Sequence, residues 1–185
     1  MSAGHGHGHG DHGGGNKRIA LLISLLALVL AFAETLGKGA QTAALASNIE
    51  ASNLWAFFQA KTIRQTVVRT AAEQTSLTGN SEEAKKQIEA WRKTAQRYQT
   101  EPETGEGRDE LMARAKEAEK KRDRSMAAYH QYELASAAVQ IAIVLASAAI
   151  VTGAMALAWI GAGLGVVGVA FCLIGFFAPT SVHVF

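Results

Sequence analysis

The sequence predicts an all-α membrane protein: three transmembrane helices and an extramembrane helical hairpin of coiled-coil-like character. Three observations predict it. Apolar residues gather in an N-terminal run and in about the last fifty residues, and the middle is highly charged. There are only two Pro, near segment ends or turns, which argues for helix over an all-β fold. Across the middle, rows of residues recur at alternating spacings of four and three, the repeat of a helix that packs on another helix.

Composition narrows the function classes. The 185 residues hold 18 Lys plus Arg against 16 Asp plus Glu, a formal charge of +2. Charged residues make up 18%, below the roughly 25% of an ordinary soluble domain. Near-zero net charge and the lack of a basic stripe with interleaved aromatics argue against nucleic acid as a partner. The single Cys, Cys172, excludes a disulfide framework and any multi-Cys metal site.

The first span is read over 17–40. Ile19 to Ala33 has one polar member, Ser24, with Lys17-Arg18 before it and Glu34 after. Such a run is short for the ~20 residues of a span and resembles a signal-peptide core. No small-x-small site follows directly, and apolar character resumes through Ala43, Ala44, Leu45 and Ala46. The expectation is an uncleaved span that continues as helix beyond the bilayer. Residues 134–151 and 154–178 are the second and third spans. Together they are too long for one crossing at 1.5 Å per residue, so Thr152-Gly153 is expected to turn the chain. A 179–185 tail follows.

In the third span Ala154, Ala158, Gly161, Gly165, Gly168, Cys172 and Gly175 share one stripe. Small residues let backbones approach closely in lipid, where hydrophobicity cannot drive helices together. Ala135, Ala138, Ala142, Ala146, Ala149 and Gly153 form a similar stripe in the second span, and the two are expected to pack face to face. Gly163-Leu164-Gly165-Val166-Val167-Gly168 matches the dinucleotide fingerprint G-x-G-x-x-G. It lacks the preceding strand and the later acidic residue that the motif needs.

The extramembrane hairpin is expected over 41–133, with helices at about 41–77, 81–99 and 108–133. Gln41 to Leu77 has no Gly or Pro and is rich in helix formers. Ile49, Asn53, Ala56, Ala60, Ile63, Val67, Thr70, Gln74 and Leu77 make a coiled-coil-like seam with several polar members. Trp55, Phe57 and Phe58 beside it are candidate partner contacts, as an interfacial belt or as anchors for another helix. The plainer alternative is packing within the chain's own hairpin. Asn80 with Glu83 resembles a capping box that opens the second helix, and EPETGEG over 101–107 is a loop. Leu111, Ala115, Ala118, Tyr129 and Tyr132 continue a four-three row in the third helix, which is expected to run on into the second span. Lys116 to Arg124 mixes charges as a solvated helix face does.

Candidate chemistry is sparse. His5, His7, His9, Asp11 and His12, on a Gly-rich 1–16 tail, offer four imidazoles and a carboxylate that can wrap a divalent Zn, Ni or Cu ion without a fold. A disordered solvated tail, or a tag-like addition, is the plainer reading. His130 and His183 stand alone. Glu34 with Lys38 one turn on suits an interfacial ion pair, and Gln140 can hydrogen-bond across helices. No nucleophile-base grouping has a supporting context, so no catalytic residue and no built-in cofactor is assigned and the chain is read as a non-enzyme.

The residues Gly39-Ala40-Gln41-Thr42-Ala43-Ala44-Leu45 and the stretch Ile49-Glu50-Ala51-Ser52-Asn53-Leu54-Trp55-Ala56-Phe57-Phe58-Gln59-Ala60-Lys61-Thr62-Ile63-Arg64-Gln65 resemble the bacterial membrane-protein family named domain of unknown function 4337. Tyr129-His130-Gln131-Tyr132-Glu133-Leu134-Ala135, leading into Val139 to Ser147, is similar to it too. The resemblance runs from Asn16 to about Ala178. It implies three spans and a helical extramembrane domain, with no activity assigned, and it weakens the idea that the His-rich N-terminus is only a tag. Such proteins tend to carry basic residues between the last two spans, whereas this chain has only Val151-Thr152-Gly153-Ala154 there.

The function expected is an oligomerising scaffold or interaction subunit, working through the hairpin and the small-residue stripes. The partners expected are the lipid bilayer and either further copies or another membrane complex. A metal-responsive protein using the His-rich tail is the alternative, and an oligomeric pore is disfavoured by the few polar residues in the spans. Location is expected in the bacterial inner membrane. Lys17-Arg18 and the family's basic turn favour a cytoplasmic N-terminus and a periplasmic hairpin, while Lys116 to Arg124 favours the reverse.

Overall fold

The computed structural model describes residues 13–79 and 81–181. Among these there are four α-helices and no strand: α1 (Gly13–Thr78), α2 (Glu82–Gln99), α3 (Arg108–Thr152) and α4 (Met155–Phe177). Helices α1, α3 and α4 are each long and apolar enough to cross a membrane.

The elements follow from local chemistry. Helix α2 opens at Ser81, which sits at φ −75° and ψ 157° and accepts the N–H of Ala84 at 3.1 Å. That corrects the expected Asn80 cap: the hydroxyl one position later reaches the orphan amide, and Asn80 itself lies outside the described residues. Glu82 and Glu83 in the first turn suit the positive end of the helix dipole. Helix α3 stops at Thr152 because Gly153 takes φ +71°, a left-handed conformation that side chains disfavour. Its N–H closes on Ala149 O at 3.0 Å, and α4 begins two residues later.

Polar residues inside the apolar stretches are satisfied locally. Ser24 Oγ donates to Ala20 O, Thr35 Oγ1 to Ala31 O, and Ser147 Oγ to Ile143 O, at 2.7–3.0 Å. Such back-bonding hides hydroxyls where water is scarce. Gln140 behaves likewise. Its Nε2 donates to Ser136 Oγ at 3.2 Å on its own helix, not across helices as expected.

The chain packs as two units. The terminal unit is Met1–Gln41 with Met126–Phe185, and the central unit is Thr42–Ser125. In the described part of the terminal unit, one cluster joins Ile19 to Ala146, Ala149 and Ala158, and another joins Leu26 to Val139 and Ala142. In the central unit Ala51 and Leu54 of α1 meet Leu111, Ala115 and Ala118 of α3.

Candidate interaction surfaces

The small-residue stripe of α4 lies in the terminal unit. Ala158, Gly161, Gly165, Gly168 and Gly175 are buried, Cys172 is half-buried and Ala154 is exposed. What they touch explains their size. A Cβ on Gly161 would stand 2.8 Å from Ala142 O, and one on Gly168 would strike Val139 Cγ2 and come within 3.1 Å of Ala135 O. A Cβ on Gly175 would meet the Tyr132 ring at 3.0 Å, and one on Gly165 would meet Leu26 Cδ2 at 2.5 Å. The stripe is therefore covered by α3 and α1 of the same chain. By contrast Gly163 has open space around it. The G-x-G-x-x-G sequence lies in the middle of α4, away from any helix N-terminus that could hold a phosphate.

An open cleft of about 460 Å³ in the same unit is lined by Glu34, Lys38, Tyr129, Tyr132, Glu133 and Gln140, among others. It mixes two carboxylates, an ammonium and neutral hydrogen-bonding groups.

In the central unit Trp55, Phe57 and Phe58 are half-buried and packed on the Ala51-Leu54-Leu111 core. Trp55 Nε1 donates to Glu119 Oε1 at 2.9 Å, and its ring meets Phe58 edge-on at 5.4 Å. Phe57 and Phe58 also carry cations. The Lys61 ammonium lies 5.5 Å from the Phe57 ring centre and 5.3 Å from that of Tyr98, and the Arg108 guanidinium lies 4.9 Å from that of Phe58. These aromatics are engaged inside the chain.

Around them runs a polar network that reading the sequence missed. Lys61 is only 6% exposed, with its Nζ 3.6 Å from Glu101 Oε2 and 3.7 Å from Glu106 Oε2. Buried Gln65 donates from Nε2 to Ala95 O at 2.9 Å and to Gln99 Oε1 at 3.1 Å. Arg108 Nη1 donates to Gln65 Oε1 at 2.6 Å and to Gln99 Oε1 at 2.9 Å. Gln99 Nε2 and Thr100 Oγ1 then donate to Asp109. The signal that could have found the pair is register: Ala51, Leu54, Lys61, Gln65 and Ala72 fall on one helical row.

The expected seam takes the opposite side. Ile49, Asn53, Ala56, Ala60, Ile63, Val67, Thr70, Gln74 and Leu77 are all exposed. As the chain's own hairpin seam they are therefore corrected. Packing selects the row that carries Lys61 and Gln65, because those side chains find partners on α2 and in the 100–107 loop. On α3 the expected row does face inward, with Leu111, Ala115 and Ala118 at most 2% exposed.

The metal candidates His5, His7, His9, Asp11 and His12 lie outside the described residues, as does His183.

Fold and surfaces together define a helical protein with three helices suited to crossing a membrane. Over residues 15–178 the chain matches the family described as Domain of unknown function (DUF4337), and it belongs to that family. No curated protein and no solved structure matches it.

Proposed function

We propose that the protein is a non-enzymatic, three-span membrane scaffold whose helical central unit lies outside the bilayer and assembles with further copies or with a membrane complex. One observation carries this reading. Helices α1, α3 and α4 hold spanning-length apolar stretches that leave large apolar side chains outward: Leu21 is 72% exposed, Val144 66%, Trp159 75% and Val166 71%. Lipid covers such a surface without penalty, and water does not. Ser24, Thr35, Gln140 and Ser147 in the spans bond within their own helices, which suits a lipid neighbour better than a water-filled pore. Outside the spans, charged helices and a buried polar network make a stiff unit for carrying partners.

The reading places the protein in a bacterial inner membrane, with the N-terminus cytoplasmic and the central unit periplasmic. Lys17 and Arg18 beside the first span support that orientation. Labelling of single cysteines introduced at exposed positions of the central unit, from the outer side of intact cells, tests it. No labelling there, with labelling after lysis, reverses the orientation.

Detergent-solubilised protein should run as a defined oligomer by light scattering with the detergent mass subtracted. A clean monomer removes self-assembly, leaving only a different partner. The metal reading rests on the His-rich tail alone and separates cleanly: deleting residues 5–12 abolishes a metal-dependent phenotype and leaves a scaffold untouched.

A further inference from the structure

Among the described residues nothing covers the outward row of α1 in the central unit. Ile49 is 53% exposed, Ile63 65%, Val67 61% and Leu77 85%, although each falls on one four-three register with Asn53, Ala56 and Ala60. We propose that a second copy of this chain covers the row, α1 against α1, parallel and in register. The proposal rests on the membrane-scaffold reading and names its contact surface.

Spacing selects the kind of partner. A repeat averaging 3.5 residues over four heptads fits another helix with the same repeat, knobs into holes. Anchoring selects the copy and its direction. Chains that share one bilayer and one orientation present this row at the same height and pointing the same way. Asn53 then faces the Asn53 of the second copy, the pairing that sets register in parallel coiled coils. Ala56 and Ala60 let the two backbones come close between the larger Ile49 and Ile63.

Charge is compatible too. In that register a flanking residue faces the one five positions later on the other helix, so Gln59 meets Arg64 and Glu73 meets Thr78. No like charges oppose each other. The exposed charged side of α3 between Lys116 and Arg124 offers no such face, because its burial would desolvate many charges at once.

Area sets the strength. A 28-residue row is roughly 42 Å long and about 10 Å wide, so each copy contributes roughly 420 Å², half of the ~800 Å² per partner in a standard interface. Confinement to one membrane raises the effective concentration and offsets that shortfall. Association therefore is strongest in the bilayer and persists in detergent at the high protein concentrations used for light scattering.

Cysteine cross-linking in native membranes tests it. In a Cys172→Ala background, Ile63→Cys and Val67→Cys should each give oxidised dimer several-fold above Lys116→Cys, an exposed position on α3. Adding Ile49→Glu to the Ile63→Cys chain should remove that dimer while helicity stays unchanged. Equal cross-linking at positions 63, 67 and 116, or none at 63 and 67, overturns the proposal. If light scattering still finds an oligomer, scaffolding survives through another surface. A monomer that does not cross-link removes both.

Discussion

Lys61 shows how a single residue is held against its own chemistry. An ammonium loses strong hydration when buried, and here two carboxylates and two aromatic faces replace it. Lys61→Ala removes all four contacts and leaves the half-buried Glu101 without its buried cation. We expect a loss of about 1–3 kcal/mol, read as a lower denaturant midpoint for the helical signal. An unchanged midpoint would show the network to be ornamental. Glycines on α4 offer a matched pair. Gly161→Ala forces a methyl against the Ala142 carbonyl, a backbone atom with little room to yield, and should cost about 1–3 kcal/mol. Gly163→Ala meets open space and should cost nothing measurable. Thermal unfolding of the two variants side by side decides the matter: equal behaviour would mean that α4 does not pack on α3 as described.

At the scale of elements, helix ends were the most legible features, because caps and breakers act over three or four residues. Gly153 closes on Ala149 O where the turn was expected, whereas α2 is capped by Ser81, one position past the expected Asn80. Ser81→Ala should weaken α2 by about 0.5–2 kcal/mol, seen as faster amide exchange over 82–88 with α3 unaffected. Gly153→Ala must hold a side chain at φ +71° and should cost about 1–2 kcal/mol. Its signature is a lower unfolding temperature with no loss of helix content. Less legible was which row of α1 lies inside. Counting apolar residues favours Ile49 to Leu77, the side left exposed, because Lys61 and Gln65 make the buried row look polar. Polarity also marks the start of the second span at 134, whereas packing divides α3 at Ser125. The two boundaries answer different questions, one about solvent and one about contacts.

For the whole molecule, assembly is the property at stake. Both surfaces that the sequence nominates for partners, the small-residue stripe and the aromatic trio, are engaged inside the chain. Gly161→Leu, Gly165→Leu and Gly168→Leu should thus lower stability before they alter oligomer mass. The Ile63→Glu and Val67→Glu double variant should do the reverse, keeping the unfolding midpoint and lowering the mass. Light scattering and unfolding run on the same samples would separate these outcomes. If the glycine variants stay stable and lose mass, the α4 stripe is an interface between chains after all.

By itself the sequence determined that this protein is helical, where its helices break, and which three could cross a membrane. Those properties depend on neighbours a few positions apart and on the length of apolar runs. Only the tertiary structure decided which faces are spent inside. Gln65 meets Ala95 and Arg108, thirty and forty-three positions away, and Lys61 meets a loop some forty residues on. Partners so distant turn two polar residues into core and release an apolar row to the outside, which local patterning has no means to register.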